Sequence, residues 1–249
     1  MSTPIRSREV ALEPWIEPLA AGDQWLATSP ELAMKRLLAR GGGSMFQIAH
    51  VFRAAEIGAR HREEFHLIEW YRVPGDLPDV IADVEGVVAA VFEAVVPLLD
   101  PPRAVAPRSW MRVELLELMG ETLGVALTGE EPARALEPLL QRVRQDLGVG
   151  LRPRDDGDSE LDRLLAWTEL FSLWSDLHLD PWLAQLPDDV AVHTVGFPAS
   201  LAALSELEPN GRAARFESHV RGVELANGYR ELRDARAQRH RFELVAGKR

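Results

Sequence analysis

Residues 46–71 read FQIAHVFRAAEIGARHREEFHLIEWY, and the rest of the chain is organised around this stretch. Two runs in which apolar residues alternate, 45–53 and 65–73, flank a charge-rich connection at 54–64. Period-two patterning on both sides predicts two strands joined by a long loop. In the second run Phe65, Leu67, Glu69 and Tyr71 point one way, and His66, Ile68, Trp70 and Arg72 the other. A carboxylate between apolar residues on one strand face has two readings. It belongs to the solvated side of a half-exposed sheet, the commoner case, or it lines a pocket and meets a cationic group. Arg53 ends the first run, where an antiparallel partner would set it at the rim of such a pocket. A guanidinium beside an acidic, aromatic-lined floor suits a ligand that carries both a phosphate and an amine.

Composition sets the bounds. At 249 residues, 46% hydrophobic and 27% charged, the chain has enough material for a substantial core and is ordinary for a soluble globular protein. The longest apolar candidate for a membrane helix is broken by Asp83, Glu85 and Glu93, and the N-terminus lacks the apolar region of a signal peptide. No membrane association is expected. There is no cysteine, hence no disulfide framework and no thiolate metal site, and the expected location is the cytoplasm. A formal net charge of −11 argues against broad binding to a phosphate backbone, which counts against tRNA as a partner.

Residues 1–14 are polar and irregular and read as a loose entry segment. Short strands are expected at 15–19 and 24–27. Ser29 is placed to cap, and Pro30 to begin, a helix reaching about Ala39 and ended by Gly41, Gly42 and Gly43. Residues 76–99 predict a helix, with Val80, Val84, Val87, Val88, Val91 and Val95 at helical spacing. A connector at 103–107 leads to a strand at 110–113 and a short helix at 114–123. Two further helices, 131–147 and 159–177, are separated by a turn-rich stretch at 148–158. Trp167, Leu170, Phe171 and Trp174 form an apolar stripe that reads as core. The middle, 100–187, is mostly helical, resembles an insertion and offers no chemistry. A strand at 190–197, a short helix at 199–207 and a strand at 215–225 follow. Asn227-Gly228 is a tight-turn signal, and 231–242 reads as an Arg-rich exposed helix. Helices around an antiparallel sheet make an α+β pattern in a single domain spanning 1–249.

The residues FRAAEIGARHREEFHLIEWYR resemble motif 2 of class II lysyl-tRNA synthetases and, more closely, of their short paralogues, the elongation factor P lysine ligases. Those proteins carry a TSPE segment followed by MKRLL just upstream; here stand Thr28-Ser29-Pro30-Glu31 and Met34-Lys35-Arg36-Leu37-Leu38. They also carry a GIELANGF segment far downstream; here Gly222-Val223-Glu224-Leu225-Ala226-Asn227-Gly228-Tyr229 is followed by Glu231-Leu232, Asp234-Ala235 and Gln238. Three matches in order implicate the class II synthetase architecture over nearly the whole chain.

The resemblance implies ATP and Mg²⁺ as cofactors and an aminoacyl-adenylate as the intermediate. An arginine suits the α-phosphate because it is always charged and forks onto phosphoryl oxygens. Arg53 matches the family arginine in that role. By the same carry-over Phe65 stacks on adenine, His61 meets the triphosphate tail, and Glu224 and Leu225 sit among the nucleotide-contacting positions. Glu217 and Glu224 match the acidic pair for the metal. They are an odd number of positions apart, so an ideal strand faces them oppositely, and a bulge at Gly222 is needed to bring both to one side. For the substrate, lysine or β-lysine, Glu31 and Glu69 match the positions near the α-amine, with Ser29 paired to Glu31. Asn227 and Glu231 match those near the ε-amine, and Tyr71 matches the tyrosine lining the side chain. A buried cationic side chain demands such anionic partners.

The sequence also departs from the family. The glutamate two positions after the motif 2 arginine is Ala55, with Glu56 as a neighbouring substitute, and the asparagine of HNPEF is Arg62. The resemblance further implies a domain incomplete at both ends, with most of motif 1 upstream of the chain and motif 3 beyond Arg249. Motif 1 forms the dimer interface, which leaves a homodimer open. Three functions are therefore expected. The first is an ATP-dependent lysine ligase acting on elongation factor P, favoured because no anticodon-binding domain fits in this length. The others are a lysyl-tRNA synthetase relative and a catalytically impaired paralogue that binds lysine, nucleotide or a partner protein.

Overall fold

The alternation in 46–71 is realised as an antiparallel pair, β4 (Met45–Phe52) and β5 (Glu64–Tyr71), in continuous register from Met45 opposite Tyr71 to Phe52 opposite Glu64. Gln47, Ala49 and Val51 are buried and lie opposite Glu69, Leu67 and Phe65, so the face that carries Glu69 is the inward one. Phe46, Ile48 and Ile68 are exposed on the other face. The described residues of this computed structural model are 2–9, 16–55, 57–58, 61–100, 105–150 and 157–246. Residue 15 of the expected strand 15–19, Glu56, residues 103–104 of the connector and 151–156 of the turn-rich stretch lie outside them.

The chain divides into two compact units, Met1–Asp76 with Phe242–Arg249, and Leu77–Arg241. In the first, β1 (Arg6–Ser7), β2 (Ala20–Ala21) and β3 (Gln24–Leu26) form a small antiparallel sheet in the order β1-β3-β2. The expectation of an irregular segment over 1–14 is thus corrected at Arg6 and Ser7, whose pairing with Leu26 and Trp25 is non-local and leaves no period in the sequence. The Phe52 N–H donates to the Ala27 carbonyl (2.9 Å) and the Ala54 N–H to that of Glu17 (2.7 Å), tying this segment to the end of β4. Between them lies α1 (Glu31–Ala39).

The second unit holds α2 (Leu77–Val95), β6 (Ser109–Glu114), α3 (Leu115–Leu123), α4 (Ala133–Leu147) and α5 (Glu160–Trp174). A π-helical turn, Ser175–Leu179, leads into α6 (Asp180–Ala184), followed by β7 (Val190–Val195), β8 (Arg215–Val220) and β9 (Val223–Tyr229). The last helix, α7, spans Ala235–Ala246. Ser159 begins α5 with a reciprocal cap: its hydroxyl accepts from the Asp162 N–H (3.2 Å) while the Asp162 carboxylate accepts from the Ser159 N–H (2.9 Å). Trp167, Leu170 and Trp174 are fully buried among Leu115, Met119, Leu136 and Leu140, so the aromatic stripe is core.

The sheet runs β6-β7-β8-β9. It is antiparallel except for β6 and β7, which are parallel because α3 through α6 supply the long crossover that a parallel pair requires. On its other face His193 is held from both ends, with Nδ1 2.8 Å from Ser218 Oγ and Nε2 3.1 Å from Glu85 Oε1 of α2, while Trp110 stacks on the ring at 4.4 Å. Burial is the main cause that pushes the His193 pKa down.

Three expectations in the last third are corrected. The helix expected at 199–207 is only one 3₁₀ turn, Ala199–Leu201, because Ser205 and Leu207 are taken by bridges to Glu231 and Ala213. The single strand expected at 215–225 is a hairpin whose turn is Arg221-Gly222, with φ of 54° and 70°. Asn227-Gly228 is no turn; it lies within β9, opposite Glu217 and Phe216. Gly228 is small for a packing reason, since a Cβ there would stand 2.5 Å from Cε1 of the buried Phe216 ring. Gly228→Ala is expected to cost about 1–3 kcal/mol through overpacking. Urea denaturation measures it, and a loss below about 0.5 kcal/mol, the ordinary effect of a surface change, contradicts this packing.

Candidate functional site

Two groups of the expected residues assemble, one in each unit. In the first unit, α1 starts one residue later than the capping pattern implies, with Pro30 at the N-cap position. Ser29 nonetheless does cap work: its hydroxyl accepts from the Glu31 N–H (2.9 Å) and donates to Glu69 Oε2 (2.9 Å). Tyr71 donates its hydroxyl to Glu69 Oε1 (2.9 Å). Glu69 and Tyr71 are two apart on the inward face of β5, so one strand aims both at the start of α1.

The Glu31 carboxylate is buried and takes the Lys35 ammonium at 2.7 Å, one helical turn along. Lys35 went unmarked in the sequence reading, although its spacing from Glu31 is visible there. Burial, then the neighbouring Glu31 charge, push the Glu69 carboxyl up from its ordinary 4.5 to about 7, against the lowering by Ser29, Tyr71 and Lys35.

Arg53 follows β4 directly. Its Nε donates to the Thr28 carbonyl (3.3 Å), its backbone N–H to that of Glu63 (2.9 Å), and its guanidinium carbon lies 5.2 Å from the Phe65 ring centroid. The expected Ser29, Glu31, Arg53, Phe65, Glu69 and Tyr71 therefore share one region. His61 lies exposed in the loop between β4 and β5, its carbonyl accepting from the Gly58 N–H (3.2 Å).

In the second unit, Arg215, Glu217 and His219 alternate onto one face of β8. Glu217 lies opposite Asn227 and Ser218 opposite Ala226, but His219 lies opposite Glu224: the ladder skips Leu225. That bulge puts Glu224 on the face of Glu217 and His219. The need for a bulge was legible; its place is Leu225 rather than Gly222, which serves the hairpin turn.

Ligand atoms of Glu217, His219 and Glu224 all lie within 4.8 Å of one another. Arg215 holds Oε1 of the buried Glu217 at 2.6 Å and donates to the Leu201 carbonyl at 2.7 Å. Burial pushes the Glu217 carboxyl up and Arg215 opposes it. Burial also pushes the His219 imidazole down to about 4, with Asp180 opposing and His193 adding to the shift. His219 was missed by the sequence reading; its signal is the period-two spacing from Glu217. Leu225 is exposed at the bulge, and Glu231 lies just past β9 in a bridge to Ser205.

An arginine, an aromatic ring and a paired acid on a motif 2-type hairpin, with a second acidic hairpin downstream, define a class II synthetase. The chain belongs to that family: the profile of tRNA synthetases class II (D, K and N) matches residues 8–248. Among curated proteins, the elongation factor P–(R)-β-lysine ligase of Erwinia tasmaniensis is 36% identical over 227 residues, 90% of this chain and 61% of the relative. The protein of the same name from Haemophilus influenzae is 35% identical over 225 residues (88% and 59%), and that from Sodalis glossinidius 33% over 233 (92% and 63%). The chain thus spans about three fifths of the length of these relatives. No helix among the described residues is long and apolar enough to cross a membrane.

The Glu69 environment has a pH signature. A carboxyl whose folded pKa is raised adds stability that is fully present below the unfolded pKa, near 4.5, and is lost as pH rises through about 7. Replacing it with an uncharged isostere removes that loss. Glu69→Gln is expected to gain up to about 3 kcal/mol relative to the parent between pH 5 and pH 8, read by urea denaturation at both pH values. Parallel stability profiles for the two proteins contradict the shifted carboxyl.

Proposed function

We propose that this chain carries the activating site of an ATP-dependent ligase that joins lysine or (R)-β-lysine to a lysine of elongation factor P. The observation that carries the reading is Glu69, held between Ser29 and Tyr71 beside Glu31. A carboxyl whose pKa is raised to about 7 by burial, and then by a second acid, gains most from an arriving ammonium group, which restores its charge. Neutral amino acids carry the same α-ammonium, so their rejection falls to Asn227 and Glu231, which would be left without a second amine to pair with. The similarity to ligases whose name specifies (R)-β-lysine and elongation factor P supports the same substrates here.

In this reading a carboxylate oxygen of the amino acid attacks the α-phosphorus of ATP, the bond to the β-phosphate bridge breaks, and pyrophosphate leaves. The acceptor amine then attacks the activated carbonyl, AMP departs with the bonding pair, and the amine loses a proton. Arg53 steadies the α-phosphate oxygens as negative charge shifts among them, with Thr28 and Phe65 fixing its plane. Glu31 and Glu69 hold the α-amine, Ser29 orients Glu69, and Tyr71 lines the aliphatic stem. Asn227 and Glu231 take the second amine, His61 the triphosphate tail, and Phe65 with the Glu224-Leu225 segment the nucleoside. Glu217 and Glu224, on one face through the bulge, fit a divalent cation, and Mg²⁺ there would neutralise phosphate charge.

A second reading, binding of lysine or nucleotide without chemistry, draws support from Ala55 and Arg62. The Ala55 N–H is turned to Glu63 Oε1 (3.0 Å), and only a methyl group stands where the family has a glutamate on the nucleotide. ATP–pyrophosphate exchange separates the two. Lysine or (R)-β-lysine is expected to drive exchange that leucine does not, and Arg53→Ala to lower it at least about 100-fold. Background exchange with lysine binding intact by calorimetry overturns the ligase reading; exchange that survives Arg53→Ala overturns the role of Arg53.

A further inference from the structure

The hairpin of β8 and β9 presents two carboxylates and an imidazole, with ligand atoms within 4.8 Å of one another. Donors of one metal ion, each about 2.0–2.6 Å from it, stand no more than about 5 Å apart. His219 is 5% exposed, and its Nδ1 is buried with no hydrogen-bond partner among the described residues. Buried polar atoms are nearly always satisfied, and an unsatisfied one points to a ligand. Arg215 occupies Oε1 of Glu217, so one guanidinium offsets part of the acidic charge beside the group.

Magnesium favours oxygen donors and keeps its waters, whereas imidazole nitrogen suits transition ions such as zinc, copper, iron and nickel, with manganese at the weakly binding start of their series. We infer that Glu217, His219 and Glu224 form a three-residue site for a transition divalent cation, and that His219 sets the metal preference of this chain away from Mg²⁺. The inference rests on the assignment of the two glutamates to a cation in the function proposed above. His219 supplies the third donor from the same strand as Glu217, and the bulge at Leu225 supplies the second carboxylate from across the hairpin.

The test uses the full chain and metal ions alone, without nucleotide. Electron paramagnetic resonance of free Mn²⁺, with Mg²⁺ as competitor, gives both affinities. Mn²⁺ is expected to bind at least about tenfold more tightly than Mg²⁺. His219→Phe is expected to weaken Mn²⁺ about 10–100-fold and Mg²⁺ less than about threefold, the loss typical of a removed donor. His219→Gln, which keeps a polar donor, falls between them. On the unaltered chain, the His219 ring nitrogens are expected to shift in ¹⁵N resonance on Zn²⁺ addition, a readout independent of how any variant folds. Equal affinity for the two ions, equal losses for both, or an unmoved ring signal overturns the inference and leaves the ligase reading standing. Failure to bind either ion overturns the metal assignment of both. Absent exchange with the Mn²⁺ preference intact removes the function alone.

Discussion

Glu69 is the constraint on which the first unit turns. Its two oxygens are taken by Ser29 and Tyr71, and Ser29 also accepts from the N–H of Glu31, so the acid fixes the beginning of α1 relative to β5. That bond set holds only in the observed register, which brings Glu69 opposite the buried Gln47. A slip by one residue would turn Glu69 to the face of Phe46 and Ile48 and break both bonds. Strand register, helix start and site electrostatics are in this sense one arrangement. Its charge is unbalanced: Glu31 and Glu69 act on each other, and the lysine that offsets part of their charge, Lys35, is paired with Glu31 at 2.7 Å.

The second unit solves a similar problem with a different device. There a one-residue irregularity, rather than a side-chain hydrogen bond, sets which groups share a face. The skipped Leu225 rotates Glu224 onto the side of Glu217 and His219. The hairpin that permits it turns at Arg221 and Gly222, where the ion pair of Arg221 with Asp188 (2.9 Å) anchors a non-glycine residue at positive φ. Behind it, His193 between Ser218 and Glu85 clamps α2 to the sheet.

Much of this was legible in the sequence because it is periodic. The β4 and β5 strands, α2, α4 and the aromatic core of α5 all follow from spacings of two or of three to four. The division of β5 into two faces was legible for the same reason, and the resemblance to the lysine ligases pointed to the residues that now meet around Glu69. What escaped is what periodicity does not encode. The pairing of Arg6 with Leu26 is long-range. Asn227-Gly228 carries a turn signature, yet its glycine answers to the Phe216 ring across the ladder. The parallel pairing of β6 and β7 depends on a helical crossover between residues far apart in sequence. His219 was overlooked because its partners are set by the bulge.

The account stands on Glu69 as an acid held for an ammonium ligand. The direct measurement is a carbon-13 titration of its side-chain carboxyl, with and without lysine. The predicted result is a midpoint near 7 in the free protein, falling by more than about one pH unit when lysine supplies the opposing charge. A midpoint in the ordinary range near 4.5 that lysine leaves unmoved would contradict it.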